Sequence, residues 1–184
     1  MSELFMQERN IPVLISIRRV EHAQPPSIDG LIELLVDSVS NGASVGFLNP
    51  VNPSTAREYW HNVLSTPEDE LVLWVATCEE TIVGSVQLAL CPKENGRHRA
   101  EVQKLMVHSS ARGNRIASRL MQTLETYALQ TGRFLLVLDT EAGSPAESVY
   151  QHLNWQKAGE IPDYARNAAG QLHATAYYYK RLVR

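Results

Sequence analysis

The stretch from Glu101 to Gln130 limits the fold of this chain more than any other part of the sequence. It opens with a short apolar run, crosses a polar turn, and continues with apolar residues at helical spacing, namely Ile116, Leu120, Met121, Leu124, Tyr127 and Ala128. Gly132 stands where a helix stop is expected, and residues 134–139 (FLLVLD) predict a second strand buried on both faces. The order predicts a strand, a crossover helix and a parallel strand.

The turn that precedes this helix is suited to hold a phosphate. First-turn amides of a helix have no internal partner and lie at the positive end of its dipole. By itself the turn is only a candidate anion site, because many helices start after a Ser and Gly turn and bind nothing. The sequence contains neither G-x-x-x-x-G-K-[ST] nor a G-x-G-x-x-G after a strand. An ordinary nucleotide hydrolase or nicotinamide enzyme is therefore not expected.

The same stretch resembles the pyrophosphate-binding motif of the GCN5-related N-acetyltransferases (GNAT), a strand ending L-x-V followed by [QR]-x-x-G-x-[GA]. Leu105-Met106-Val107 matches the strand end, and the loop match is Arg112-Gly113-Asn114-Arg115-Ile116-Ala117. Arg115 stands where the family has its fourth-position glycine. Glycine there lets the backbone approach the pyrophosphate of coenzyme A, so Arg115 either adds a charge contact or narrows the pocket.

A second family motif follows downstream, the helix pattern N-x-x-A-x-x-[LV]-Y with a later G-[FY] pair. Ala146, Val149 and Tyr150 match it, while Gly143 replaces the usual Asn and Asn154 the usual Gly. Independently of any family, Ser144 and Glu147 form a capping box, with Pro145 at the first helical position. The wider run from LDTEAGS through the C-terminal hairpin resembles the tabtoxin resistance protein branch, acetyltransferases that modify a β-lactam amino acid toxin.

Composition fits one globular domain covering residues 1–184. The chain has 44% apolar and 20% charged residues, with a formal charge of −3. A pI near 6.1 predicts no basic surface for nucleic acid or anionic membrane. The absence of a signal pattern or a bilayer-length apolar stretch predicts a cytoplasmic protein. Cys78 and Cys91 are expected to be buried thiols, and the histidine spacing predicts no metal site.

The remaining elements agree with an α/β (α+β) fold. We expect a first strand over 13–20, a helix capped by Ser27 and a second helix capped by Thr55 with Glu58. Two hairpins are also expected, one of strands 71–78 and 81–90 and one of strands 156–160 and 174–182. The resemblance implies a mixed, mostly antiparallel central sheet with splayed parallel strands, flanked by helices. The strand with Tyr177, Tyr178 and Tyr179 fits a dimer edge as easily as the core, so both a monomer and a homodimer are expected.

The resemblance also implies acetyl-CoA as the acetyl donor, with no metal. The backbone of the loop would hold the pyrophosphate, and amides near the end of the preceding strand would bond the pantetheine arm and the thioester oxygen. The implied coenzyme contacts are Leu105, Met106, Val107, Arg112, Gly113, Asn114, Arg115, Ile116, Ala117, Ser118 and Ser144.

Tyr150 matches the family's general-acid tyrosine, although its spacing alone also fits a half-buried core residue. Asp139 and Glu101 are equal candidates for the general base. The structural alternatives are that Asp139 caps the turn into the next helix and that Glu101 pairs with Arg99 or Lys104. An acidic pocket favours a cationic acceptor such as an amino acid, polyamine or aminoglycoside, and the candidate acceptor contacts are Phe47 and Glu141.

These observations predict an acetyl-CoA-dependent N-acetyltransferase acting on a small-molecule amine, with an amino acid antibiotic or toxin as one acceptor class. The departures at Arg115, Gly143 and Asn154 fit a second hypothesis, a catalytically silent acyl-CoA-binding or sensing module. A protein N-acetyltransferase is the third hypothesis.

Overall fold

The computed structural model describes residues 14–183. In chain order the elements are β1 (Ile15–Arg19), α1 (Ile28–Ser40), α2 (Pro53–Ser65), β2 (Leu71–Cys78), β3 (Thr81–Leu90), β4 (Arg99–Val107), α3 (Ile116–Gln130), β5 (Leu135–Glu141), α4 (Pro145–His152), β6 (Gln156–Arg166) and β7 (Leu172–Arg181). Short 3-10 turns lie at Glu94–Gly96 and Ser109–Ala111. Residue 13 of the expected first strand lies outside the described residues.

The strands form one seven-stranded sheet in the order β1-β2-β3-β4-β5-β7-β6. Every neighbouring pair is antiparallel except β4 and β5, which are parallel and are connected through α3. The expected mixed, mostly antiparallel sheet is thereby confirmed.

The parallel strands pair only at their beginnings. The register runs from Arg99 opposite Leu135 to Glu101 opposite Val137, and no later residue of β4 pairs with β5. The carboxyl half of β4 therefore leaves its backbone groups on this side without a strand partner. A gap opens in the sheet at the carboxyl ends of its two parallel strands, where open α/β sheets place ligands.

A β-bulge in β4 reverses which face of the sheet its side chains point to. Ser85 of β3 pairs with Met106, whereas Gln87, two residues on, pairs with Gln103. Lys104 lies in the bulge with φ +50°, and its carbonyl accepts a hydrogen bond from the Ser85 hydroxyl at 3.2 Å. An extra residue in one strand reverses the side-chain alternation beyond it. Val102 accordingly packs on the α3 side of the sheet, while Met106 packs on the α1 and α2 side.

The two faces of the sheet carry separate core layers. Helices α3 and α4 cover one face, and α1 and α2 cover the other. Alternate residues of β2 serve both layers, because Trp74 packs with the α3 layer and Val75 with the α1 layer. Tyr178 of β7 is buried in the α3 layer. Since β7 lies between β5 and β6, its tyrosines are inside the sheet, and the outer strand on this side is β6.

Two local expectations were wrong. Helix α2 begins at Pro53 with Asn52 as its cap, and the Asn52 side chain accepts hydrogen bonds from the amides of Ser54 and Thr55. Thr55 is therefore inside the first turn, because Pro53 occupies the first helical position without needing a donor. Strand β5 is buried on one face only, through Leu136 and Leu138; its other face borders a cavity.

Cys78 and Cys91 are both free and partly buried. Across residues 14–183, no helix has the length and apolar character needed to cross a membrane.

Candidate active site

One cavity of about 840 Å³ occupies the gap between β4 and β5. Its walls come from both faces of the sheet, since α3 and α4 contribute Ile116 and Tyr150 while the α1–α2 loop contributes Val45 and Gly46. On the α1 side, the Asn49 amide donates a hydrogen bond to the Ala168 carbonyl at 2.9 Å. This bond joins the α1–α2 loop to the loop between β6 and β7. The cavity therefore borders both faces of the sheet, and on the α1 side its wall includes the α1–α2 loop, which this bond fixes to the β6–β7 loop.

The turn before α3 presents open backbone donors to this cavity. The first helical hydrogen bond of α3 runs from the Arg119 amide to the Arg115 carbonyl at 3.0 Å, and no side chain caps the helix. Residues Ile116, Ala117 and Ser118, whose amides precede that bond, all line the cavity. Open amides at the positive end of a helix dipole suit an anionic group.

Arg115 keeps the backbone shape that glycine would give this turn. It has φ +57°, the left-handed conformation that glycine adopts without the steric cost of a Cβ, roughly 1–2 kcal/mol for other residues. Its side chain is exposed at the border of the cavity. Asn154, which also stands at a usual glycine position, has φ +62°. Both departures from the motif thus retain a glycine-like main chain.

Helix α1 fixes the position of the turn. The Asp37 carboxylate accepts a hydrogen bond from the Ser109 amide at 2.7 Å and another from the Ser109 hydroxyl at 2.6 Å. The adjacent Ser38 lines the cavity and is only 2% exposed. Its hydroxyl has no hydrogen-bond partner within the described part of the chain. A buried hydroxyl facing a cavity without a partner fits contact with a polar ligand.

Helix α4 carries Tyr150 into the opposite wall. The tyrosine is 7% exposed, and its ring packs 6.2 Å from that of Trp155 and 5.9 Å from that of Tyr178. Burial, with the negative charge of Asp139 adding to it, raises the pKa of Tyr150 above its ordinary value of 10. The phenol therefore stays protonated at neutral pH and remains a hydrogen-bond donor.

Glu147 holds the start of α4 in place. It accepts hydrogen bonds from the Gly143 amide at 2.6 Å, from the Lys157 ammonium at 3.0 Å and from the Tyr178 hydroxyl. Burial opposes its ionisation, but these bonds together lower the pKa of Glu147. The expected helix start at Ser144 is confirmed, although the Ser144 side chain makes no capping bond and Glu147 reaches Gly143 instead. The Glu147 carboxylate thus accepts from the Gly143 amide, whereas a capping box would use the Ser144 amide.

Three carboxylates line the cavity, those of Glu101, Asp139 and Glu141. The cavity walls desolvate Asp139 and the charge of Glu101 repels its ionised form, so its pKa is raised, with Lys104 opposing the shift. Glu101 accepts a hydrogen bond from the Gln103 side chain at 2.8 Å. Glu141 lies 3.2 Å from the His173 ring.

Most residues predicted from the sequence line this one cavity. They are Glu101, Leu105, Met106, Val107, Arg112, Gly113, Arg115, Ile116, Ala117, Ser118, Asp139, Glu141, Ser144 and Tyr150. Asn114 does not line it, because its side chain donates within the turn to the Ala111 carbonyl at 3.0 Å. Phe47 is also absent from the lining and packs edge-on against Tyr59, with 5.3 Å between ring centroids. Its neighbours Val45 and Gly46 face the cavity instead.

Sequence reasoning missed further lining residues, among them the polar side chains of Ser38, Lys104, Tyr164, Arg166 and Thr175. None of these polar residues lies in a recognised motif. The sequence suggests Lys104 only as an ion-pair partner of Glu101, and the apolar pattern of the strand does not reveal the bulge that places Lys104 at the cavity. Within residues 14–183, no group of three or more His, Cys, Asp or Glu side chains is arranged to hold a metal ion.

Residues 36–155 match the family described as the Acetyltransferase (GNAT) family. The chain belongs to this family, whose members use acetyl-CoA as the acetyl donor. The match spans both motifs, the turn before α3 and helix α4.

Solved structures share the fold at low sequence identity. The ribosomal-protein-alanine N-acetyltransferase from Brucella melitensis is 23% identical with a TM-score of 0.71, covering 91% of this chain and 99% of that one. The Salmonella typhimurium protein yncA, solved with its cofactor acetyl-CoA, is 14% identical with a TM-score of 0.74 (93% and 95% covered). A protein assigned as a phosphinothricin N-acetyltransferase is 16% identical with a TM-score of 0.75 (93% and 100% covered).

Proposed function

We propose that this protein transfers an acetyl group from acetyl-CoA to the amine of a small molecule, and that amino acid antibiotics or toxins are the first acceptors to test. The observation that carries the proposal is the cavity between β4 and β5. It brings the open amides before α3, the buried Tyr150 and the pair Glu101 and Asp139 to one space. Acetyl transfer from a coenzyme to an amine needs a binding site for the anionic part of the coenzyme, a proton donor and a base. The cavity contains a candidate for each.

The coenzyme side fits an extended ligand with an anionic end. The amides of Ile116 to Ser118 and the guanidinium of Arg112 are the proposed partners of the pyrophosphate. The unpaired edge of β4 and the Ser38 hydroxyl supply further polar groups along the gap. When bound there, acetyl-CoA would supply the acetyl group as a reactive thioester.

On the acceptor side, Asp139 and Glu101 are the proposed bases. An amine attacks only in its neutral form, so a carboxylate or a water bound to it must take a proton from the ammonium. The raised pKa of Asp139 makes this carboxylate a stronger base than a solvated one. Tyr150 is proposed to donate its hydroxyl hydrogen to the leaving sulfur. Burial disfavours the thiolate as it disfavours the phenolate. The pKa of the leaving thiol is therefore raised together with that of Tyr150.

The experiment is a calorimetric titration of the protein with acetyl-CoA, followed in the same sample by a thiol-release screen over amines. The panel contains amino acids, phosphinothricin, polyamines, aminoglycosides and a peptide with a free N-terminal alanine. Binding together with release by a small amine is the expected result. Binding without release by any amine would favour the sensing module, release by the peptide alone would favour a protein acceptor, and absence of binding would overturn the coenzyme site.

A further inference from the structure

Lys104 occupies an unusual place on the acceptor side of the cavity. The bulge in β4 gives it a left-handed backbone, and its side chain extends toward α2, where Nζ lies 5.5 Å from the centroid of the Tyr59 ring. The backbone of Gly46 in the α1–α2 loop borders the ammonium, since a Cβ added there would lie 3.7 Å from Nζ. The Lys104 ammonium thus lies between the Tyr59 ring and the backbone of Gly46, which has no side chain to cover it.

Within residues 14–183 the Lys104 ammonium forms no ion pair and donates no hydrogen bond. By contrast, Lys157 pairs with Glu147 and Glu160, and Lys180 bonds Glu125 at 2.7 Å and the Leu153 carbonyl at 2.8 Å. Burial lowers the pKa of Lys104, although the charges of Asp139 and Glu101 oppose that effect. A half-buried ammonium has three donors that need acceptors, and here they face the cavity.

Tyr59 does not neutralise this cation. Burial raises the pKa of Tyr59 to about 12, and its hydroxyl donates to the Gln87 side chain at 3.0 Å. The ring is therefore a neutral aromatic face, which stabilises the cation without forming a salt bridge. The Lys104 ammonium is therefore available to an anionic group of a ligand bound in the cavity.

We propose that Lys104 binds an anionic group of the acceptor, which makes the acceptor an amino acid or a related zwitterion with its amine toward Asp139 and Glu101. The inference rests on the proposed function and deepens it. An ammonium and carboxylates that line one cavity without pairing match a ligand that carries both charges. A polyamine or aminoglycoside would leave the Lys104 cation unpaired and would be repelled by it.

The test compares free amino acids with the matching amino acid amides, which keep the amine and the side chain but lose the carboxylate. Thiol release is measured for the wild type, for Lys104→Met and for Lys93→Met, a control at an exposed lysine outside the cavity. The amide also has a less basic amine than the acid, so the change of the acid-to-amide ratio of kcat/KM between variants reports the Lys104 contact. A charge-assisted hydrogen bond predicts that this ratio falls by about 10- to 100-fold in Lys104→Met, while Lys93→Met should retain the wild-type ratio.

Comparing the acid with the amide inside each variant separates recognition from catalysis, because a change in the Asp139 pKa affects both substrates alike. Acetyl-CoA binding by Lys104→Met, followed by calorimetry, checks that the variant is folded. An acid-to-amide ratio that is unchanged in Lys104→Met would overturn the role of Lys104 and leave the acetyltransferase proposal standing. Acetyl-CoA binding without release by any acid or amide would overturn the role of Lys104, and it would overturn the acetyltransferase proposal only if no amine of the wider panel released thiol either.

Discussion

Tyr150 owes both its packing and its proposed chemistry to burial. The ring fills the α3-side core next to Trp155 and Tyr178, while the side chain also borders the cavity. A motif match alone leaves a catalytic tyrosine and a core tyrosine as alternatives, and the position of Tyr150 is compatible with both. The proposed chemistry needs its hydroxyl, and the packing needs its ring.

Replacing Tyr150 by Phe keeps the ring and removes the proton donor. We expect kcat to fall by about 100-fold or more, with acetyl-CoA affinity nearly unchanged, because the hydroxyl acts only as the sulfur leaves. Steady-state rates and calorimetry measure the two effects. Tyr127→Phe is the matched control, since Tyr127 is a partly buried tyrosine of α3 outside the cavity lining. Equal kcat values for Tyr150→Phe and the wild type would remove this residue from the mechanism.

Asp139 should make activity and stability depend on pH in opposite directions. As a base it must be ionised, so activity should rise as pH increases through its raised pKa, and Asp139→Asn should lose most of this activity. A pKa raised above the usual 3.8 means that the folded protein holds the proton more tightly than the unfolded chain. The stability contributed by Asp139 is therefore full below the unfolded pKa and is lost as pH rises through the folded one.

Asp139→Asn should consequently gain stability relative to the wild type as pH rises from the ordinary pKa of 3.8 through the raised pKa of the folded protein. Urea denaturation at several pH values measures the difference, and Asp69→Asn, an exposed carboxylate outside the cavity, is the control. A difference between Asp139→Asn and the wild type that stays constant across this range would contradict the raised pKa.

Tyr150, Asp139 and Glu101 could be predicted as cavity residues from the sequence. Tyr150 matches a helix motif, and the two carboxylates were indicated by their places in the predicted parallel strands. Lys104 was missed as a cavity residue because its position depends on one extra residue in β4, and a bulge leaves no reliable trace in apolar alternation. Arg115 illustrates a related limit. Its identity breaks the motif, but its left-handed φ preserves the backbone that the motif encodes.

Helix α2 depends on a cap that the sequence pattern assigned to the wrong residue. Thr55 with Glu58 matches a capping box, yet Asn52 caps the helix through the Ser54 and Thr55 amides. Pro53 was the available signal, because proline prefers the first helical position directly after a cap. Asn52 before Pro53 and Thr55 with Glu58 are both acceptable cap patterns, and residue spacing alone does not decide which of them starts the helix.

Asn52→Ala should therefore destabilise the protein by about 1 kcal/mol, because two first-turn amides lose their acceptor. Thr55→Ala, at an exposed position inside the first turn, should change stability by less than about 0.5 kcal/mol. Denaturant titration of both variants measures these values. A larger loss for Thr55→Ala than for Asn52→Ala would restore the capping box predicted from the sequence.

Strand boundaries were predicted best where an apolar run ends at a polar turn in the sequence. The hairpin of β2 and β3 was predicted at its observed residues, because apolar runs flank a short polar turn. Strand β6 extends to Arg166, six residues beyond its expected end at Glu160. Its side chains are mostly exposed, so pairing with β7 defines it and apolar alternation does not.

At the scale of the whole molecule, the single domain predicted from composition remains to be tested. The sheet gives a physical reason to expect one cooperative unit, because β2 sends alternate side chains into both core layers. Leu35 in the α1 layer and Leu124 in the α3 layer are both fully buried. Replacing either by Ala should lower the free energy of unfolding by about 2–5 kcal/mol and shift the entire transition.

Denaturant titrations followed by far-UV circular dichroism and tryptophan fluorescence measure this cooperativity. Leu48→Ala is the control, since Leu48 is 52% exposed and should have little effect. One layer that unfolds at lower denaturant while the other persists would show that the sheet does not couple them.

The cavity between β4 and β5 has a consequence for the route of the two substrates. Coenzyme and acceptor would approach from opposite faces, so neither blocks the entrance of the other, and both can be present together. Cys78 and Cys91 are absent from the described cavity lining, so no thiol of the described chain lies where it could store the acetyl group between two half-reactions. The opening between β4 and β5 therefore suits direct transfer inside a ternary complex, with the sheet itself keeping the two entrances apart.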